Sequence, residues 1–257
     1  MLRFILPLFI LVGIPSQLSA TTVGETKEAL VLIDATYQDR ETGAPKPAFG
    51  TGFFLNDRFV LTAKHVVDGW YSQITSAKDK FPLKGRIGSK FSMRDIYLDV
   101  ITMGTGQEGE LALLEVKGPT PAHAVLGLCL ESESDGAEGT EFFAIGYPEA
   151  EDAQPVPGTL GARTGPGNIF RAASDFTSGM SGGPVLRKRA GGTVTSIIGV
   201  VQSGKKDQPA IRFITQIERI RRLDLDLFQS LAKCHAPTAN DLTVTVAKLP
   251  DSLPDTF

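Results

Sequence analysis

The feature that most constrains this chain is its run of short apolar segments, each three to eight residues long and cut off by turn residues. Ala29-Leu30-Val31-Leu32-Ile33, Gly50-Thr51-Gly52-Phe53-Phe54-Leu55 and Phe59-Val60-Leu61-Thr62 open the series. Asn56-Asp57 supplies turn chemistry between the last two, which therefore read as a hairpin. Ile96 to Met103 and Leu111 to Val116 follow, then Glu141 to Ile145, Pro184 to Leu186, Ile197 to Val201 and Ile211 to Ile214. With 27 glycines and 16 prolines in 257 residues, long helices are disfavoured. Evenly spaced strands with such punctuation predict an all-β barrel or sandwich. The helical period surfaces once: Ile217, Ile220, Leu223, Leu227 and Leu231 predict an amphipathic helix.

The first twenty residues read as an address. Arg3 precedes an apolar run from Phe4 to Ile14, and Ala20 ends the segment, the pattern of a secretory signal cleaved after Ala20. An uncleaved anchor is the alternative, but the run is short for a ~30 Å hydrocarbon core and carries Pro7 and Pro15. The expectation is a secreted or periplasmic protein with no stable membrane association after cleavage. A formal charge of −3 without a basic block argues against a nucleic-acid partner. The two cysteines, Cys129 and Cys234, form either one bridge or two free thiols, and no CxxC spacing suggests a metal or redox centre.

Two segments carry chemistry. In Thr177-Ser178-Gly179-Met180-Ser181-Gly182-Gly183-Pro184 a serine stands among three glycines just before an apolar strand. Glycine permits positive φ and leaves room for an incoming carbonyl, so the amides of Gly179 and Ser181 can converge as an oxyanion hole. In Val60-Leu61-Thr62-Ala63-Lys64-His65 a histidine ends a strand. Neutral imidazole is the base a serine hydroxyl needs near pH 7.

Those two motifs, in that order, resemble the chymotrypsin-like (trypsin-like) serine peptidases, the compact bacterial exported members above all. Gly50-Thr51-Gly52-Phe53 is similar to the strand before the family's histidine, and Gly199-Val200-Val201-Gln202-Ser203-Gly204 to the strand that pairs with substrate. The resemblance implies two six-stranded antiparallel barrels with the active site between them and a C-terminal helix. It places the first barrel at 28–117, a linker at 118–128, the second barrel at 129–215, the helix at 216–234 and a loosely ordered tail at 236–257. It implies catalytic His65 and Ser181, an oxyanion hole at Gly179 and Ser181, and substrate contacts at Gln202, Ser203 and Gly204. A bridge from Cys129 to Cys234 would match the tie between inter-barrel crossing and terminal helix seen in many trypsins. The implied partner is a polypeptide substrate, the expected state a monomer, and no cofactor or metal is called for.

The sequence departs from that pattern at the third member of the triad. The family's aspartate strand reads Gly109-Glu110-Leu111-Ala112-Leu113-Leu114 here, so Glu110 falls to the task of orienting the imidazole, with Asp95 and Asp99 as alternatives. Met180 replaces the aspartate with which digestive members bind a freed amino terminus, so propeptide cleavage is not expected to form the site. Asp175, six residues before Ser181, matches the residue that selects Lys or Arg in trypsins. The glutamate-selecting branch uses a histidine after the serine, and none lies between Ser181 and His235. His123 and His235 read as structural or exposed. The leading expectation is an exported serine endopeptidase with a Ser-His-Glu triad. The rivals are an impaired homologue acting as a protein-binding module, and an esterase or acyl-transferase on the same site.

Overall fold

The structure, a computed structural model, describes residues 23–73, 75–89, 92–105, 110–126, 137–164, 169–188, 194–205, 208–216 and 244–246. A five-residue helix, α1 (Val23–Lys27), leads into β1 (Leu30–Asp34). Then come the two-residue strands β2 (Tyr37–Gln38) and β3 (Pro45–Lys46), β4 (Phe49–Phe54) and β5 (Phe59–Ala63). Asn56 Oδ1 accepts from the amides of Arg58 (2.9 Å) and Phe59 (2.8 Å), which closes the β4–β5 hairpin as its Asn-Asp turn predicts. Helices α2 (Lys64–Tyr71) and α3 (Thr75–Lys80) precede β6 (Lys84–Ile87), β7 (Arg94–Met103) and β8 (Leu111–Lys117). These strands close antiparallel in the order β1-β4-β5-β8-β7-β6.

Beyond β9 (Ala124–Leu126) the second barrel is built from β10 (Glu141–Gly146), β11 (Gln154–Thr164), β12 (Ile169–Ser174), β13 (Pro184–Lys188), β14 (Val194–Lys205) and β15 (Gln208–Gln216). Its closed order is β10-β11-β12-β15-β14-β13. The all-β double barrel expected from the sequence is therefore the architecture. In the segment expected to be loosely ordered, β16 (Val244–Val246) pairs antiparallel with β9, so that tail is tied down at one point. Its Val-Thr-Val triplet is β-branched throughout, which suits an added strand. The expected helix beyond Gln216, Cys129, Cys234 and the leader lie outside the described residues.

Burial explains how the two halves meet. In β1 one face, Val31 and Ile33, packs inside the first barrel with Phe54, Val60, Leu114 and the α2 residues Val66, Val67 and Trp70. The other face, Leu30 and Leu32, joins Phe53, Leu61, Leu111 and Leu113 against Ile145, Tyr147, Leu186 and Val200 of the second barrel. Strands buried on both faces read as unbroken apolar runs, as Leu30–Ile33 does. The second barrel has its own core, including Phe142, Phe170, Phe176, Val185 and Ile214. His123 is a core residue too: it is 5% exposed, its ring lies 3.8 Å from that of Phe54, and its Nδ1 is 2.8 Å from the Pro121 carbonyl.

Candidate active site

The register of β5 on β8 creates the first half of the site. Ala63 pairs with Leu111, so the residues just past β5 meet those just before β8. The Lys64 amide donates to the Glu110 carbonyl at 2.9 Å. One residue on, in the first turn of α2, His65 Nδ1 lies 3.0 Å from Glu110 Oε2. A carboxylate only accepts, so Nδ1 carries the shared proton and, in the neutral ring, Nε2 keeps its lone pair. The hydrogen bond to His65 holds the Glu110 carboxyl below its ordinary range, against the opposing effect of partial burial. Glutamate's extra methylene is accommodated. The alternatives are occupied elsewhere: Asp95 and Asp99 are exposed and lie 3.7 and 3.9 Å from Lys84 and Lys117.

The serine turn is held by a web of backbone contacts. Gly179 and Gly182 both take φ of +88°, where a side chain is strained. A Cβ on Gly179 would fall 2.2 Å from the Tyr147 carbonyl; one on Gly182 would fall 2.1 Å from the Thr51 carbonyl and 2.2 Å from Thr62 Oγ1. Both positions admit only glycine. Met180 between them is fully buried in the second barrel core, which fixes the turn by packing rather than by an ion pair. After the serine, the Gly182 amide donates to Val201 O at 2.7 Å and the Val201 amide to Gly183 O at 2.9 Å.

Thr51, fully buried on β4, fastens this turn to the first barrel. Its amide donates to Ser181 O at 2.7 Å and its hydroxyl to Gly179 O at 2.7 Å. The same hydroxyl oxygen accepts from the Tyr147 amide at 3.0 Å, and the Thr51 carbonyl accepts from Thr62 Oγ1 at 2.7 Å. A second clamp comes from the turn Pro148–Ala150, where the Glu149 amide donates to Ser178 O at 2.7 Å. In a trans peptide N–H and C=O point opposite ways, so fixing Ser178 O turns the Gly179 N–H away from that clamp. Among the described residues the Gly179 and Ser181 amides have no backbone acceptor. Glu149 and Ala150 adopt φ of 51° and 61°, a conformation that costs non-glycine residues about 1–2 kcal/mol each.

Ser181 is half-buried, and among the described residues its hydroxyl is not hydrogen-bonded to His65. Such contacts are often long without substrate and tighten when it binds. Gln202 is half-buried on β14 with Oε1 unpartnered among the described residues, and Ser203 and Gly204 follow on the same strand. Asp175 is exposed, so the structure does not put its carboxylate at the base of a buried pocket. It follows β12 directly and precedes the buried Phe176. Among the described residues no cluster of His, Cys, Asp and Glu is arranged to hold a metal ion. Thr51 and Glu149 were invisible to sequence reading as site residues, since their roles rest on contacts to distant loops.

Solved structures share this architecture. The Rv3671c protease from M. tuberculosis in its active form is 20% identical, with 84% of this chain and 86% of that chain covered at a TM-score of 0.60. Deg5 is 20% identical over 77% of this chain and 88% of its own, with a TM-score of 0.57. The serine endoprotease from Yersinia pestis is 18% identical over 82% of this chain and 65% of its own, at 0.53. A search of curated proteins finds no match. A family model for the trypsin-like peptidase domain matches residues 50–197, which contain His65, Glu110 and Ser181. The chain belongs to the trypsin-like peptidase domain family.

Proposed function

We propose that this chain is an exported serine endopeptidase that cleaves polypeptides through an acyl-enzyme, with Ser181, His65 and Glu110 as its triad. The observation that carries the reading is the 3.0 Å contact between His65 Nδ1 and Glu110 Oε2, which presents Nε2 as a base. His65 Nε2 takes the proton of Ser181 Oγ as that oxygen attacks the scissile carbonyl. The oxyanion is received by the amides of Gly179 and Ser181, preset by hydrogen bonds to the carbonyls of the same two peptides, Ser178 O from the Glu149 amide and Met180 O from the Gly183 amide. Imidazolium, stabilised by Glu110, then protonates the leaving amine. Water, activated by the same base, hydrolyses the acyl-enzyme and returns Ser181. Solved proteases of the same fold support a polypeptide as substrate. The apolar leader supports export, which N-terminal sequencing beginning at Thr21 would bear out. Hydrolysis of denatured casein tests the activity: wild type degrades it and Ser181→Ala does not. An equal rate for the two would remove the reading.

A further inference from the structure

We propose that Arg212 makes this site selective for an acidic side chain on the acyl side of the scissile bond; the proposal rests on the peptidase reading above. Arg212 stands on β15 two residues before Ile214, which is fully buried in the second barrel core. Residues two apart on a strand share a face, so Arg212 projects from the inward face of the barrel. Its register partners are Ala172 on β12 and Gly204 on β14, neither of which carries a side chain beyond Cβ. Arg212 Nε is buried without a hydrogen-bond partner, and no carboxylate pairs with this arginine among the described residues. Burying a guanidinium N–H unpaired is costly, so the site favours a ligand that supplies an acceptor.

Position makes substrate that ligand. Val201 of β14 is hydrogen-bonded to Gly182 and Gly183, the residues immediately after Ser181. The strand then runs through Gln202 and Ser203 to Gly204, opposite Arg212. Three residues of strand span at most about 10 Å, so Arg212, opposite Gly204, stands on the same stretch of barrel wall as the residues that hold the Ser181 turn. A carboxylate on the substrate can take two parallel N–H donors from the fork, which an amide cannot match with charge. Asp175 is exposed and, among the described residues, forms no ion pair with Arg212. Acid recognition here comes from an arginine on β15, not from a histidine following the serine.

The test uses internally quenched peptides that differ only in the residue before the scissile bond: Asp, Glu, Asn, Gln, Lys, Arg or Leu. Wild type, Arg212→Gln and Arg212→Lys are compared, with melting temperatures as the check on folding and phosphonate labelling of wild-type Ser181 run alongside. The expected kcat/KM for Glu over Gln is roughly tenfold or more in wild type. The ratio falls to near unity in Arg212→Gln and is partly kept in Arg212→Lys. Faster cleavage after Lys, Arg or Leu by wild type, or an acid preference that survives Arg212→Gln, would overturn the proposal. A wild type that labels yet shows no acid preference sinks the role of Arg212 alone. One that neither labels nor cleaves sinks the peptidase reading and this proposal with it.

Discussion

The Thr51 hydroxyl hydrogen-bonds to the carbonyl of Gly179 at 2.7 Å, across 128 positions of sequence and from one barrel to the other. The same oxygen receives the Tyr147 amide. A single buried hydroxyl thus joins β4, the end of β10 and the turn that presents Ser181. The two halves of the chain do not merely flank the site; the first barrel holds the Ser181 turn of the second barrel in shape.

Thr51→Val keeps the volume and removes the hydroxyl. Two partners, Gly179 O and the Tyr147 amide, then lose their bond, each worth about 1–3 kcal/mol when buried and unpaired. Turnover is expected to fall by roughly 10²–10³, the scale of losing one oxyanion donor. Thr51→Ser, which retains the oxygen, restores most of it. Equal rates for the valine and serine variants would show that the hydroxyl does not position the turn.

Gly179→Ala places a methyl 2.2 Å from the Tyr147 carbonyl at a φ of +88°. The turn must move, and the Gly179 amide moves with it. Activity is expected to drop at least as far as in Thr51→Val, while the melting temperature shifts modestly because the barrels themselves are untouched. Ala150→Gly, by contrast, relieves a left-handed residue and should leave the melting temperature level or raise it.

Glu110→Gln retains shape and removes charge. A side-chain amide can satisfy His65 Nδ1 in the wrong tautomer, and loss of the right one lowers turnover on the order of 10⁴. Active-site titration against casein or peptide hydrolysis measures this directly. A variant within tenfold of wild type would mean that Glu110 does not orient the base.

Glu115 gives the pH test of stability. Lys117 and Arg58 both bond its carboxylate, and these hydrogen bonds hold it below its ordinary range, as His65 does for Glu110. A carboxyl depressed on folding contributes stability that is full above its unfolded pKa, about 4.3, and is lost as pH falls through the folded value. The wild type should therefore exceed Glu115→Gln in melting temperature at pH 7, with the gap closing below about pH 4. A gap that persists or widens on acidification would contradict the assignment.

Much of the fold is legible in the sequence. The β4–β5 hairpin follows from apolar runs around Asn56-Asp57, and the glycines around Ser181 announce a strained turn. Of the barrel strands, three lack a clear sequence signal: β6, β11 and β12. In β11, Pro155, Pro157, Gly158 and Gly161 break the alternation. The prolines are tolerated because β11 pairs with β12 only from Gly158 onward, so at Pro155 and Pro157 only β10 lies alongside. Asp175 was matched to a pocket residue by spacing, but spacing along a loop does not set burial, and the side chain faces solvent. Glu149 and Ala150 carry no glycine or asparagine to signal left-handed backbone; only the hydrogen bond to Ser178 O reveals what the turn does.

In the proposed mechanism Ser181 is chemically activated by His65 and Glu110. Intact-mass measurement after treatment with a fluorophosphonate tests it most directly, on wild type, Ser181→Ala and Glu110→Gln. One adduct on wild type, mapped to Ser181, none on Ser181→Ala and strongly slowed labelling of Glu110→Gln is the predicted result. Folded wild-type protein that takes up no probe, or labels no faster than Glu110→Gln, would contradict it.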